Sequence, residues 1–291
     1  MIRIIFLGLL LIVGSLSVRA CDVCGCASGN LSLGLLPYYQ ASFVGLQGQY
    51  TSFRYRDDAT TDRFYVANVW GRWYPHERWQ IFASLPYRVH QRWDEAGLAQ
   101  LHGIGDAQVL VQHLLLRSSD SARVRQQLWV GAGGKLPTAG RPSGEWQDYP
   151  VHFRLGKPIW EFQASLLYQV RVKNVGLMVQ ANYQEGLHRE NAYRFGSQYR
   201  ALANLFRTGQ RKRFRYLFYG GLMHEEMARD VDGAYYQNDT GGSGSFVNAG
   251  GEVYWKRWSV GLLGQLPFTQ SYAEGEIIAE SRMTLTINYL L

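Results

Sequence analysis

Three cysteines fall within six residues, Cys21-Asp22-Val23-Cys24-Gly25-Cys26, and the rest of the chain has none. Thiols this close, in an oxidising compartment, oxidise or bind metal. Soft thiolates at C-x-x-C-x-C spacing suit Cu(I) or Zn(II), and Gly25 lets the chain turn tightly enough for the sulfurs to converge. Three sulfurs hold Cu(I) in trigonal fashion, whereas structural zinc wants a fourth ligand. An odd number of thiols leaves one over if two pair. Three roles stand open for Cys21, Cys24 and Cys26: capture or delivery of Cu(I), lipid attachment at Cys21 with a structural or redox role for the other two, and a plain structural motif. Met223, His224 and Met227 are also soft-ligand types, but they lie at a strand end, where packing accounts for them.

The segment ahead of the thiols reads as an export signal. Arg3 is its positive start, residues 4–18 are an apolar run too short for a transmembrane helix, and Val18-Arg19-Ala20 precedes Cys21. Arg19 makes this a poor lipobox, so ordinary cleavage after Ala20 competes with lipoprotein processing. Removing Arg3 and Arg19 takes the formal charge from +7 to +5. No basic run resembles a nucleic-acid arm, and Arg211-Lys212-Arg213 falls in an expected turn. No later stretch approaches about 18 consecutive apolar residues, so any membrane insertion must use strands.

From residue 43 the dominant period is two, the signature of a sheet with one dry and one wet face. In 79–93, Trp79, Ile81, Ala83, Leu85, Tyr87, Val89 and Trp93 alternate with Gln80, Ser84, Arg88, His90 and Arg92. The pattern predicts twelve strands, near 43–55, 63–74, 79–93, 104–117, 123–137, 159–172, 175–186, 193–207, 213–226, 246–256, 258–271 and 279–291. Each suffices to cross a bilayer at a tilt, which takes about 9–11 residues. Gaps after even-numbered strands are short and those after odd-numbered strands longer, as expected of periplasmic turns and outer loops. The last strand is apolar at Met283, Leu285, Ile287, Tyr289 and Leu291, a pattern read by the barrel assembly machinery, although Leu replaces the usual terminal Phe or Trp.

The expected fold is therefore all-β, an up-and-down antiparallel barrel across the bacterial outer membrane, with lipid around it. Residues 1–20 would be the signal, 21–42 a cysteine-containing periplasmic segment and possible plug, and 43–291 the barrel. On the wet face fall Arg88, Arg92, Lys135, Arg171, Arg194, Arg200 and Arg282, with Asp106, Glu161 and Glu252 as counter-charges. Excess basic groups in an open lumen would favour anions, but buried charges also pair to brace a wall.

Gly103-Ile104-Gly105-Asp106, Gly133-Gly134-Lys135-Leu136-Pro137-Thr138 and Asn238-Asp239-Thr240-Gly241-Gly242 together resemble the phenol-degradation MetA-like and wider FadL-like outer-membrane transporter families. The resemblance covers most of residues 40–291 and implies a transporter without naming its solute. The Cys-Asp-x-Cys-Gly-Cys start resembles a subset of these proteins, and that resemblance implies copper handling with periplasmic metal-handling partners. No nucleophile motif stands out, so no enzymatic activity is expected. Two readings remain: a channel or transporter for a small solute, and a membrane-anchored metal-binding or structural barrel without transport.

Overall fold

The computed structural model describes residues 41–56, 59–119, 121–139 and 153–291. Its strands are β1 (Phe43–Tyr55), β2 (Thr61–His76), β3 (Trp79–Asp94), β4 (Gly97–Ile104), β5 (Ala107–Arg117), β6 (Val124–Leu136), β7 (Glu161–Val172) and β8 (Val175–Gly186), then β9 (Tyr193–Arg194), β10 (Gln198–Arg211), β11 (Phe214–Met227), β12 (Val231–Asp232), β13 (Tyr235–Tyr236), β14 (Gly242–Trp255), β15 (Trp258–Tyr272) and β16 (Ile277–Leu290).

Twelve of these make the wall, each antiparallel to its neighbours: β1, β2, β3, β5, β6, β7, β8, β10, β11, β14, β15 and β16. The ring shuts where β16 pairs with β1 from Phe43↔Leu290 to Tyr55↔Ile277. At the end of that seam the Leu291 N–H donates to the Ser42 carbonyl at 3.0 Å. Closure is what lipid demands, because nothing outside can satisfy a spanning backbone group.

Side chains sort as the period-two pattern predicts. Leu46, Val69, Leu85, Leu205, Leu222 and Leu262 are exposed on the outer face, while Gln47, Asn68, Ser84, Asn204 and Gln265 are buried inside. So much contiguous apolar exterior suits acyl chains and not water. Exposed Trp73, Trp79, Phe214, Trp255 and Trp258 gather at the short-turn rim, and Tyr65, Tyr87, Tyr183 and Tyr199 stand higher on the same face. On β2 eight residues separate Trp73 from Tyr65. That is roughly 26 Å along a strand, or about 20 Å of height at a 40° tilt, close to the ~25 Å apolar band of outer-membrane barrels.

Three wall boundaries differ from the expected ones. The strand expected at 104–117 starts at Ala107, because residues 97–104 fold back along the upper half of β3 as β4. The strand expected at 193–207 starts at Gln198. Gly196 lies so close to the Ala228 backbone that a Cβ there would overlap its carbonyl, and this contact interrupts the run. Tyr193 and Arg194 join β12 and β13 in a small loop sheet instead. The strand expected from residue 246 begins four residues earlier, at Gly242.

A charge on the outer face must lose its water. Leu205→Arg, near mid-wall, is expected to cost about 2–4 kcal/mol, and Lys256→Glu at a turn at most about 1 kcal/mol. Refolding into phospholipid vesicles across a denaturant series would measure both.

Candidate functional site

Inward side chains divide the lumen into a floor, a middle and a mouth. The floor, at the short-turn end, is aromatic and tightly filled: Phe43, Trp70, Leu217, Tyr254 and Trp129 are buried, the last with no exposed surface. Arg72 threads through it, within 5.0–5.8 Å of the Phe43, Tyr74 and Phe82 rings, and donates to the Ala41 carbonyl. Burying a guanidinium there is tolerable only because rings and oxygens surround it.

The middle is a belt of amides. Gln80 donates to Gln112 at 2.7 Å, Gln112 to Ser165 at 2.9 Å, and Gln163 to Gln184 at 3.2 Å. Asn248 donates to Asn204 across two strands. Neutral amides can donate and accept at once, so a belt of them needs no counter-ions, although Gln80 Oε1, Asn204 Nδ2 and Asn248 Oδ1 have no hydrogen-bond partner among the described residues.

Three ionic clusters ring the mouth. Arg92 grips Asp62 through two bonds of 2.8 and 2.6 Å and lies against the Tyr55 and Phe153 rings. Glu161 takes Lys135 at 2.8 Å, Lys157 at 3.2 Å and the Gln184 amide at 2.8 Å. Glu225 accepts from Arg282 at 2.6 and 2.9 Å and from the Tyr272 hydroxyl at 2.6 Å, with Arg200 more distant at 3.5 Å. Each buried carboxylate therefore has charged and neutral donors, which offsets its desolvation.

Residues 153–160 turn inward across the mouth. Phe153 is fully buried, its ring beside Phe64 and His90 and its carbonyl accepting from His90 Nδ1 at 2.9 Å. The Lys157 N–H donates to Asp106 at 2.8 Å, and Gly156 packs so near that carboxylate that a Cβ would collide with it. Asp106 thus anchors a constriction as well as standing 3.7 Å from Lys135.

Arg88, Arg92, Asp106, Lys135, Arg171, Glu252 and Arg282 are buried in the interior. Arg200 is partly exposed there, beside Glu225. Arg194 is a correction: it is exposed on β9 in the loop sheet, outside the wall, because the strand does not begin until Gln198. Asp62, Glu225, Asp230 and Lys157 escaped the sequence reading. Glu225 lies in His224-Glu225-Glu226 on a strand whose inward residues below it, Leu217 and Met223, are apolar, so alternation there does not reveal the wet face. Asp230 binds Tyr193 and the Gly196 N–H from a loop, where no period exists to read. Cys21, Cys24 and Cys26, and the part of the possible plug up to residue 40, lie outside the described residues. Ala41 and Ser42 enter at the floor, where Ser42 accepts from the Tyr74 N–H.

A closed ring with lipid-compatible walls and a polar, braced interior has one architectural match. The fold is that of an outer-membrane barrel. The chain superposes on an outer-membrane channel from Pseudomonas putida F1 with a TM-score of 0.65, covering 95% of this chain and 99% of that one at 11% identity. It superposes on the β domain of the Bordetella autotransporter BrkA with a TM-score of 0.53, covering 86% of this chain and 100% of that one at 10% identity. No protein-family profile and no curated protein matches the sequence. Likeness at such identity concerns architecture, so the transporter-family resemblance holds at the level of the barrel.

Breaking one member of a buried pair strands the other. Asp62→Ala is expected to cost about 3–5 kcal/mol, whereas Asp62→Leu combined with Arg92→Met costs far less, because no uncompensated charge remains. Denaturant titration of the refolded barrel would compare them.

Proposed function

We propose that this protein is an outer-membrane channel for small solutes, with the long-loop end outward and the short turns in the periplasm. One observation carries the reading: the wall is apolar outside, while its inner face is lined by amides, many hydrogen-bonded to one another, and by paired charges above an aromatic floor. A barrel serving only as an anchor needs no polar belt, since apolar packing would fill it at lower desolvation cost. The interior is too full for a wide pore, so passage is slow, selective and controlled at the floor and at the Phe153 constriction.

The filled floor also favours the alternative, a barrel without transport. Purified protein in liposomes separates the two. Slow uptake of small solutes is expected from the native chain, and Trp129→Ala should raise it severalfold while costing about 3–5 kcal/mol of stability. No uptake by either would favour the sealed barrel.

The thiols support a separate reading that rests on sequence alone. On this reading residues 1–20 are removed as a signal, and Cys21, Cys24 and Cys26 face the periplasm and capture Cu(I) there. Titration of the mature protein with Cu(I) should show tight binding that a Cys24→Ser/Cys26→Ser variant loses at least tenfold; equal, weak binding by both removes copper from the account. The mass of the mature N-terminus would separate a free Cys21 from an acylated one.

A further inference from the structure

The short-turn rim carries a charge that passage of a solute does not use. Three hairpins that follow one another around the wall, β7–β8, β10–β11 and β14–β15, close through two-residue turns: Lys173-Asn174, Lys212-Arg213 and Lys256-Arg257. Arg211 leads into the second turn, and Arg207 lies on the outer face just above it, opposite Val175 and Phe218 in register. All seven cations are exposed, and no salt bridge joins any of them to a carboxylate among the described residues. No Asp or Glu occurs within 172–176, 207–215 or 254–259, so nothing in these turns offsets the charge.

The backbone singles out the three lysines. Lys173, Lys212 and Lys256 have φ of +54°, +53° and +53°, in the left-handed region where a Cβ is crowded. Glycine or asparagine takes such a turn position with less strain. The same residue type stands there three times against its own conformational preference, and strain of this kind persists where the side chain has a further use. Height decides what that use is. Phe214, Trp255 and Trp258 flank the turns on the exposed outer face, at the level where aromatic side chains meet lipid headgroups. Lys256 Nζ lies 4.9 Å from the centre of the Trp255 ring. A two-residue turn brings the chain back before it leaves the headgroup layer, so these cations stand among lipid phosphates, and Arg207 reaches the same layer along its apolar stem.

We propose that this arc, which spans six of the twelve wall strands, binds the headgroups of anionic phospholipids in the periplasmic leaflet. Phosphate oxygens accept from the lysines and arginines, and the uncompensated charge enriches anionic over zwitterionic lipid beside this half of the wall. The choice of leaflet rests on the orientation proposed above. The site itself rests only on the barrel and holds whether or not solutes pass.

The test places the full barrel in phosphatidylcholine vesicles with a trace of spin-labelled phosphatidylglycerol or spin-labelled phosphatidylcholine. Electron paramagnetic resonance then reads the lipid held at the protein surface. Labelled phosphatidylglycerol should associate at least twofold more strongly than labelled phosphatidylcholine, and the excess should vanish at about 1 M salt, where charges are screened. Lys173→Asn/Lys212→Asn/Lys256→Asn removes three charges and eases the backbone, so it should fold at least as well as the native chain and lose most of the preference. Arg54→Gln/Arg63→Gln, which removes two exposed cations at the long-loop end, should keep it. Folding is checked by heat-modifiable gel mobility. Should the asparagine variant not fold, Arg211→Gln/Arg213→Gln/Arg257→Gln, with no left-handed position among them, carries the comparison. No preference in the native chain, or an unchanged preference in the folded rim variant, would overturn the proposal. So would binding of soluble poly-glutamate to the rim without any lipid preference, which would assign the arc to an acidic protein partner. Long loops protected from protease on whole cells would overturn the periplasmic leaflet alone.

Discussion

In hydrocarbon, a peptide group without a partner costs several kcal/mol, and a strand has such a group at every residue. The rest of this structure follows from that constraint. It forces the seam between β1 and β16, because an open edge would expose a full row of N–H and C=O groups to lipid. It confines irregular backbone to the rims, where the β4 arm and the β9–β12–β13 loop sheet stand clear of the apolar band. Since alternate side chains must then face inward, closure also dictates that a column of polar groups be packed at close quarters.

The interior answers that demand differently at different heights. Rings and a wrapped arginine pack the floor, amides occupy the middle, and ion clusters brace the mouth. In each cluster a carboxylate is the hub and two cations, or a cation and a phenol, are the spokes. This arrangement holds loop and wall together: Glu161 ties Lys157 of the inward segment to Lys135 of the wall, and Asp106 caps the same segment's backbone. The constriction at the mouth is thus built into the bracing of the barrel and is not a loose flap laid over it.

Much of the wall was readable from sequence because an oil–water boundary writes itself as alternation, and nine of the twelve wall strands lie within about two residues of their expected positions. The misreadings occur where another force sets the backbone. At Gly196 close contact with Ala228 ends the pairing and carries Arg194 out of the wall. At Gly97–Ile104 a hairpin arm occupies what read as loop, since a strand above the bilayer needs no dry face: its exposed side mixes Leu98 and Ile104 with Gln100 and His102, so residue types there do not alternate. Within the lumen, period two tells which residues face inward but not which meet across it. The pairing of Glu225 with Arg282, from strands far apart in sequence, depends on barrel curvature and on Tyr272 and Phe246 beside them, none of which local spacing records.

The hydrogen bond from Leu291 to Ser42 gives the barrel one last property. The two ends of the wall touch at the floor rim, so the ring has no first stave. Joining those ends through a short linker and opening the chain at a tight turn such as Lys212-Arg213 would leave every neighbour relation intact, changing only the order in which the staves leave the ribosome. Permuted chains of this kind would separate what the finished ring requires from what the route of its assembly requires.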